Sequence, residues 1–181
     1  DAYNGTILWE CEIPGLSRFN MPRDCSNWCA DRTRLYLAVR NRCWVIDAEL
    51  GTVLETRKVD LPGGESSGYD WGYVARSESL LIGTAVKSTA PFRDFWGGYG
   101  WYDARSGPET NKVCADRLFA QDAKSGELYW FYERGVIVQS TLTIDGDTIY
   151  FVECRDPKIK ASPLRRLGDQ AFWKSQYLVA M

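Results

Sequence analysis

The 181-residue sequence contains no histidine. The absence of an imidazole excludes Ser-His and Cys-His nucleophile pairs, and it excludes every His-ligated metal site within this chain. Chemistry would have to come from carboxylates, Lys, Tyr, Cys or a bound cofactor. The sequence itself predicts no catalytic residue and no metal site.

The net charge is also small, and the sequence has no long hydrophobic run. The formal net charge is −2, so no overall field attracts nucleic acid or an anionic membrane. No run approaches the roughly 18 apolar residues that suggest a membrane span. We therefore expect no nucleic-acid partner and no membrane span. The chain does not start with Met and lacks a signal-peptide pattern at its start, so we expect it to be part of a longer protein.

The six cysteines lack the spacing of common metal or redox motifs. No Cys-x-x-Cys pair occurs, which argues against zinc and thioredoxin-like sites. If the segment between Cys25 and Cys29 is extended, the two sulfurs lie about 13 Å apart and cannot bond each other. Buried free thiols are the favoured interpretation and structural disulfides the open alternative. The full set is Cys11, Cys25, Cys29, Cys43, Cys114 and Cys154.

A nine-residue pattern, Asp-x-x-x-Gly-x-x-x-Trp, recurs along the chain. Its copies are Asp1, Gly5 and Trp9; Asp47, Gly51 and Glu55, which replaces the Trp; and Asp122, Gly126 and Trp130. The later copies each follow an apolar run, and a similar run, YLVAM, reaches residue 181 where a fourth Asp would come next. The copies lie 46 and 75 residues apart, and periods near 45 residues with β-type patterning are typical of four-stranded propeller blades.

Strand-forming segments fill the intervals, and none shows helical periodicity over three turns. We predict an all-β chain with strands at 6–12, 27–31, 34–40, 42–47, 52–59, 69–76, 79–86, 117–122, 127–133, 136–144, 148–154 and 177–181. In each repeat the Asp accepts backbone N–H groups in the turn, the Gly supplies a left-handed backbone, and the Trp covers the gap between blades. The motif residues are therefore predicted to be structural.

The motif resembles the Ala-x-Asp-x-x-Thr-Gly-x-x-x-Trp signature of pyrroloquinoline-quinone (PQQ) repeat propellers. AQDAKSGELYW matches it with Ser125 for Thr, and DAYNGTILW matches with Asn4 there. The middle copy departs at Leu50 and Glu55. The resemblance extends over the whole chain and is specific for architecture. The family includes quinoprotein dehydrogenases, which bind PQQ and calcium, and an outer-membrane assembly lipoprotein, which is a scaffold without a cofactor.

The resemblance implies one propeller domain over residues 1–181, with about three blades of a seven- or eight-bladed ring. The blade repeats start at about residues 1, 47 and 122, with insertions at 87–116 and 156–175. It also implies an extracytoplasmic location, in the periplasm or cell envelope. Because three blades are too few to close a ring, we expect the rest of the propeller to be missing and the isolated chain to associate or be poorly soluble.

Long connections are predicted at one end of the blades and short turns at the other. The long ones are 13–26, 60–68, 87–116 and 156–175. Binding residues are usually placed on such elaborated loops, so we expect a protein or small-molecule ligand on this face.

One long connection is rich in aromatic residues and gives the candidate ligand-binding residues. They are Arg93, Asp94, Phe95, Trp96, Tyr99, Trp101 and Tyr102. One interpretation is a small cluster that caps the ring. The other is a stacking surface for a sugar, quinone or peptide, with the Arg and Asp as polar guides.

The other insertion, 156–175, has an excess of basic residues. Its five cations and two carboxylates are Lys158, Lys160, Arg165, Arg166, Lys174, Asp156 and Asp169. A solvated loop is the favoured interpretation, and a weak contact with an anionic partner protein is the alternative.

Two functions follow for testing. The first is a non-catalytic binding or scaffolding propeller without a cofactor. The second is part of a dehydrogenase that binds PQQ and calcium. Those enzymes usually place a ring of adjacent cysteines beneath the quinone, and this chain has no Cys-Cys pair. A sensor or an enzyme-fused propeller remains a third class.

Overall fold

The computed structural model describes residues 1, 3–14, 27–59, 61–64, 68–88, 113–162 and 169–181. Its twelve strands are β1 (Trp28–Ala30), β2 (Arg34–Val39), β3 (Arg42–Asp47), β4 (Val53–Lys58), β5 (Tyr69–Ser77), β6 (Leu80–Lys87), β7 (Cys114–Ala115), β8 (Arg117–Asp122), β9 (Leu128–Tyr132), β10 (Val136–Asp145), β11 (Thr148–Cys154) and β12 (Gln176–Ala180). A 3₁₀ turn covers Pro62–Gly64, and two helices of one turn are α1 (Pro157–Ala161) and α2 (Gln170–Lys174).

The strands form three four-stranded antiparallel sheets, which confirms the predicted all-β class. The first sheet has the order β1-β2-β3-β4, and the second has the order β5-β6-β8-β9. The third has the order β12-β11-β10-β7. In the first two sheets, each strand pairs with the next one in the meander, as the hydrophobic segments predicted. No helix in the described part of the chain is long and apolar enough to cross a membrane.

The second sheet is buried on both faces because successive residues of its strands are apolar and point to opposite sides. Leu81, Ala85 and Phe119 belong to a core shared with the first sheet. Ile82, Val86 and Leu118 belong to a core shared with the third sheet. The three sheets are therefore stacked side by side, with the second in the middle.

The core between the first and second sheets is built around Trp71. Its fully buried ring meets Phe119 edge to face, with 4.8 Å between the ring centroids, a geometry worth about 1 kcal/mol beyond area burial. A Cβ on Gly83 would lie 2.4 Å from the Trp71 ring. The glycine in β6 is thus needed for close approach of the ring to the strand.

The short turns lie at one end of the sheets. The turn at Asp31–Thr33 bonds to the turn after β3, because the Ala48 N–H donates to the Thr33 carbonyl at 2.9 Å. In the second sheet, the Ala123 N–H donates to the Ser79 carbonyl at 2.8 Å. We name this the short-turn end. The opposite end, where β11 leads into α1 and β4 leads into the segment before β5, is the long-connection end.

Three details differ from the sequence-based prediction. Residues 6–12 were predicted to be a strand but pair with no strand among the described residues. β7 was predicted as part of an insertion but pairs with β10, through Ile137 with Ala115 and Val138 with Cys114. The insertion at 156–175 contains α1 and α2 instead of being a solvated loop throughout.

The two helices are anchored by side chains that the sequence already shows. Asp156 caps α1 by accepting from the N–H groups of Lys158 and Ile159, and Asp169 caps α2 by accepting from Ala171. Ile159 and Phe172 then bury their side chains in the core of the third sheet. A capping Asp at each start and one apolar anchor are enough to fix such short helices onto the sheet.

Candidate interaction site

The predicted ligand-binding residues lie outside the described residues. These are Arg93, Asp94, Phe95, Trp96, Tyr99, Trp101 and Tyr102. Their role as a ligand surface stays a prediction. Arg165 and Arg166 of the basic insertion lie outside the described residues as well.

The three Asp-x-x-x-Gly turns have one backbone geometry. The N–H of Gly5, Gly51 and Gly126 donates to the carbonyl of Asp1, Asp47 and Asp122 respectively, each at 2.9 Å. All three glycines have left-handed φ angles of 73°, 69° and 77°. The Asp side chains accept backbone N–H groups inside the turn, two of them from Lys124 and Ser125 in the last copy. These hydrogen bonds lower the pKa of Asp122.

Trp9 of the first copy covers the turn of the second copy. Its Nε1 donates to the Ala48 carbonyl at 3.0 Å, and its ring lies where a Cβ on Gly51 would be, at 2.5 Å from Cδ2. Gly51 is thus required both for its backbone angle and for contact with the indole. The indole joins residues before the first sheet to the turn between β3 and β4.

Arg57 covers the turn of the next repeat in the same way and so joins the first and second sheets. The sequence pattern did not predict this role. The buried guanidinium on β4 donates to the carbonyls of Asp122, Ala123 and Lys124 at 3.3, 2.9 and 3.1 Å. It also bonds Glu55, the residue that replaces the motif Trp. Ala123 follows Asp122 as Ala48 follows Asp47, so Arg57 occupies the place over the third turn that Trp9 has over the second.

A cleft of about 380 Å³ lies beside this contact. It is lined by Glu55, Arg57, Lys58, Gln121 and Gly126, among others. The fully buried Gln121 has an Oε1 atom with no hydrogen-bond partner in the described part of the chain. All of the Arg57 nitrogens, however, already donate to protein oxygens. The Arg57 guanidinium is therefore not available to a ligand in this cleft.

A second link between the first and second sheets is centred on Asp31. Its carboxylate accepts from the backbone N–H of Thr33 and Arg34 and from Arg76 Nε at 3.2 Å. Partial burial raises the pKa of Asp31, but these hydrogen bonds outweigh that effect and lower the pKa to about 2. Arg76 also donates to the Leu80 carbonyl at 2.9 Å, which fixes the ion pair across the two sheets.

A buried carboxylate lies between the second and third sheets at the long-connection end. Glu153 is fully buried, and its Oε1 accepts from the Tyr132 hydroxyl at 2.7 Å and from Arg155 Nε at 2.6 Å. Burial and then this hydrogen bond raise the pKa of Tyr132. A Cβ on Gly135 would lie 2.7 Å from Glu153 Oε2, so only glycine fits at that position.

The surface above this carboxylate combines aromatic and basic side chains. Arg155 lies over the Tyr177 ring, 4.2 Å from its centroid, a cation–π contact. Trp173 on α2 is 50% exposed, its sequence neighbour Lys174 is exposed, and Lys158 on α1 is exposed as well. We call these five residues the α1–α2 patch. Ile159 and Phe172 hold its two helices on the third sheet, so the patch is presented by a fixed scaffold.

The described cysteines are free thiols. Cys43, Cys114 and Cys154 are buried, and Cys11 and Cys29 are partly exposed. Burial raises the pKa of Cys29 and of Cys43 to about 12 in each case. Cys25 lies outside the described residues. The buried thiols act as small apolar core residues and are poor nucleophiles.

The described acidic side chains do not gather into a metal site. Within the described ranges, no three Cys, Asp or Glu side chains come together in a way that could hold a metal ion. The acidic residues are used instead in turns, as helix caps and in pairs between sheets, as shown for Asp31, Asp122 and Glu153.

No protein-family model and no curated protein matches the chain. Among solved structures, the chain is similar to quinohemoprotein alcohol dehydrogenase ADHIIG from Pseudomonas putida HK5, with a TM-score of 0.50, 13% identity, and coverage of 85% of this chain and 24% of that chain. BamB from Moraxella catarrhalis is a weaker match, with a TM-score of 0.34, 14% identity, and coverage of 81% and 60%. The chain thus spans about a quarter of the dehydrogenase, and at 13% identity that likeness supports a shared fold alone.

Proposed function

We propose that this chain is a non-catalytic β-propeller module that binds a protein partner at its long-connection end. The three stacked sheets are interpreted as three blades of a larger ring. The observation that supports binding is the α1–α2 patch, in which the two anchored helices carry Trp173, Lys158 and Lys174, and the Arg155–Tyr177 contact lies on the segments that flank them. Exposed Trp, Tyr and Arg are enriched at protein interfaces and supply most of their binding energy.

The charges of the patch indicate an acidic partner. Lys158 and Lys174 are exposed, whereas Lys160 is held by the Glu133 and Arg134 carbonyls. The Arg155 charge is shared with the buried Glu153. An exposed ammonium group on each helix and an exposed indole on α2 suit an acidic protein segment that carries an apolar or aromatic side chain.

Binding from an extract of the source organism tests this proposal. Trp173→Ala and the charge reversal Lys174→Glu should each abolish capture of a partner by the tagged chain. Tyr129→Ala is the matched control, because Tyr129 is 57% exposed but lies on β9, outside the patch. Equal capture by all four proteins, or capture by none of them, would contradict binding at the patch.

The dehydrogenase alternative is favoured only by the fold it shares with the quinohemoprotein enzyme. Adding PQQ and Ca²⁺ to the chain and measuring reduction of an electron-accepting dye with an alcohol separates the two functions. We expect no alcohol-dependent reduction. Reduction that requires both PQQ and Ca²⁺ would favour the dehydrogenase. The extracytoplasmic location expected from the sequence stays a prediction.

A further inference from the structure

The cleft between the first and second sheets lies at the place where the preceding repeat has an indole. Over the second turn, the Trp9 ring lies 2.5 Å from a Cβ built on Gly51. Over the third turn, the nearest atoms to a Cβ built on Gly126 belong to Arg57, at 3.5, 3.6 and 3.7 Å. Gly51 is buried, whereas Gly126 is half-buried. Arg57 therefore bonds the turn carbonyls but covers the turn glycine less closely than the indole does.

The replacement of Trp by Glu55 leaves room at this place. The Glu55 carboxylate bonds Arg57 on its own strand and is 43% exposed. The cleft beside it has a volume of about 380 Å³, which is within the range of small-ligand sites. Its lining residues lie between positions 55 and 126, in the two sheets that face each other.

A buried amide lies in the lining of the cleft with one oxygen unused. Gln121 directly precedes Asp122, at the position that Ile46 has before Asp47. Ile46 and Gln121 are 3% and 1% exposed. The isoleucine needs no hydrogen bond, but Gln121 Oε1 has no partner in the described part of the chain. An amide oxygen buried in this way is destabilising until a donor reaches it, so the cleft favours a ligand that carries an N–H or O–H group.

We propose that this cleft binds an indole group, whose ring packs beside Gly126 and whose N–H donates to Gln121 Oε1. An indole has a large apolar ring, a single hydrogen-bond donor and no acceptor. It therefore matches a site with a glycine on one side and one unused acceptor. Trp9 shows that an indole fits over the equivalent glycine of the second turn. The group would belong to a small molecule or to a Trp side chain of a partner protein, and the site is separate from the α1–α2 patch on the third sheet.

Titration calorimetry with indole and with 1-methylindole tests the N–H donor, because methylation removes the donor and keeps the ring. We expect the native chain to bind indole about tenfold more tightly than 1-methylindole. N-acetyltryptophanamide, which carries the indole of a Trp residue within a peptide, is titrated alongside. Tighter binding of this compound than of indole identifies a protein side chain as the occupant, and tighter binding of indole identifies a small molecule.

Gln121→Leu tests the acceptor, because leucine fills a similar volume without a polar atom. The affinity for indole should fall about tenfold, to that for 1-methylindole, and the affinity for 1-methylindole should not change. Gln176→Leu makes the same substitution at an exposed position on β12 and should leave both affinities unchanged. Far-ultraviolet circular dichroism checks that each variant is folded.

Glu55→Trp tests the location of the site without changing Gln121. An indole attached at position 55, where the repeat motif has Trp, should occupy the cleft from within the chain. The dissociation constant for added indole should then rise about tenfold or more. Glu55→Gln is the matched control, because it removes the charge and leaves the cleft open, and it should bind indole as the native chain does.

Four outcomes would overturn the proposal. One is that the native chain binds neither indole nor N-acetyltryptophanamide. Another is equal affinity of the native chain for indole and 1-methylindole, which shows that no acceptor recognises the N–H group. A preference for indole that persists in Gln121→Leu shows that another atom accepts the N–H. Unchanged binding of indole by folded Glu55→Trp shows that the ligand binds elsewhere.

Discussion

Arg57 offers the sharpest test of how the first and second sheets are joined. Its buried guanidinium donates to three carbonyls of the turn that begins at Asp122. Hydrogen bonds from a charged donor contribute about 1.5–3 kcal/mol each, but two of these are long or share one nitrogen. We therefore expect Arg57→Ala to lower the free energy of unfolding by about 3 kcal/mol. The ion pair with Glu55 adds little, because that side chain is 43% exposed.

The Trp9 contact suggests how this loss could be restored. Trp9 donates to Ala48 and packs on Gly51, so a Trp at position 55 could do the same for Ala123 and Gly126. The double variant Glu55→Trp with Arg57→Ala should recover about 1 kcal/mol or more relative to Arg57→Ala. Arg42→Ala is the matched control, because this exposed arginine on β3 bonds only Thr56.

Urea unfolding followed by tryptophan fluorescence gives these free energies, provided that the protein concentration is held fixed. Arg42→Ala should change the free energy of unfolding by less than about 0.5 kcal/mol. If Arg57→Ala is as stable as the Arg42→Ala control, the guanidinium does not join the sheets. If the double variant is less stable than Arg57→Ala alone, the proposed equivalence of Arg57 and Trp9 is wrong.

Three further predictions concern the turns, the charges and the thiols. Gly51→Ala should lower the free energy of unfolding by several kcal/mol, because the new Cβ would lie 2.5 Å from the Trp9 ring. Gly5 also has a positive φ but has open space around it, so Gly5→Ala should lower the free energy of unfolding by only about 1 kcal/mol. Urea unfolding measures both values. Because the pKa of Asp31 is lowered to about 2, its contribution to the free energy of unfolding is complete above about pH 4 and is lost as the pH falls towards 2. After allowance for the partial exposure of Asp31, we expect about 1 kcal/mol of this acid dependence to disappear in Asp31→Asn. An unchanged acid dependence in that variant would contradict the role of the ion pair. Among the five described cysteines, Cys11 should react fastest with iodoacetamide in the native protein, because it is partly exposed, whereas Cys43, Cys114 and Cys154 are buried and burial raises the pKa of Cys29; mass spectrometry of the labelled peptides would show equal rates if the buried thiols were accessible.

The repeats made the sheets predictable. Gly51 and Gly126 each follow an apolar strand at a fixed distance, so the pattern located the turn between the third and fourth strands of both sheets. The sequence Asp145–Gly146–Asp147 is typical of a hairpin turn, and Gly146, between β10 and β11, has the positive φ of 55° that such a turn requires. Local turn chemistry and alternation of apolar residues were sufficient here because tertiary contacts agree with them.

Elements that depend on distant contacts were not predictable. Cys114–Ala115 has no pattern of its own and becomes a strand only because β10 presents a free edge to it. Residues 6–12 have the composition of a strand but pair with no strand among the described residues. The helix α1 did have a signal, Asp156 followed by Pro157, which is typical of a capped helix start.

The role of Arg57 in joining the first and second sheets was also not predictable, for a different reason. The repeat motif has Trp at the position that Glu55 occupies in the second copy. Two residues later, Arg57 reaches the same turn carbonyls through a longer side chain. The sequence pattern shows that the Trp is replaced, but only the structure shows that another side chain reaches the turn carbonyls.

Hydrogen exchange measured by mass spectrometry tests the stacking of the three sheets most directly. The second sheet is the one buried on both faces, through residues such as Leu81 and Ile82. Peptides that cover β6 and β8 should therefore contain the slowest-exchanging amides in the protein, with protection close to that of global unfolding. Peptides that cover β1 or β4 of the first sheet should exchange faster. Slower exchange in β1 or β4 than in β6 and β8 would contradict a central second sheet and the propeller interpretation that depends on it.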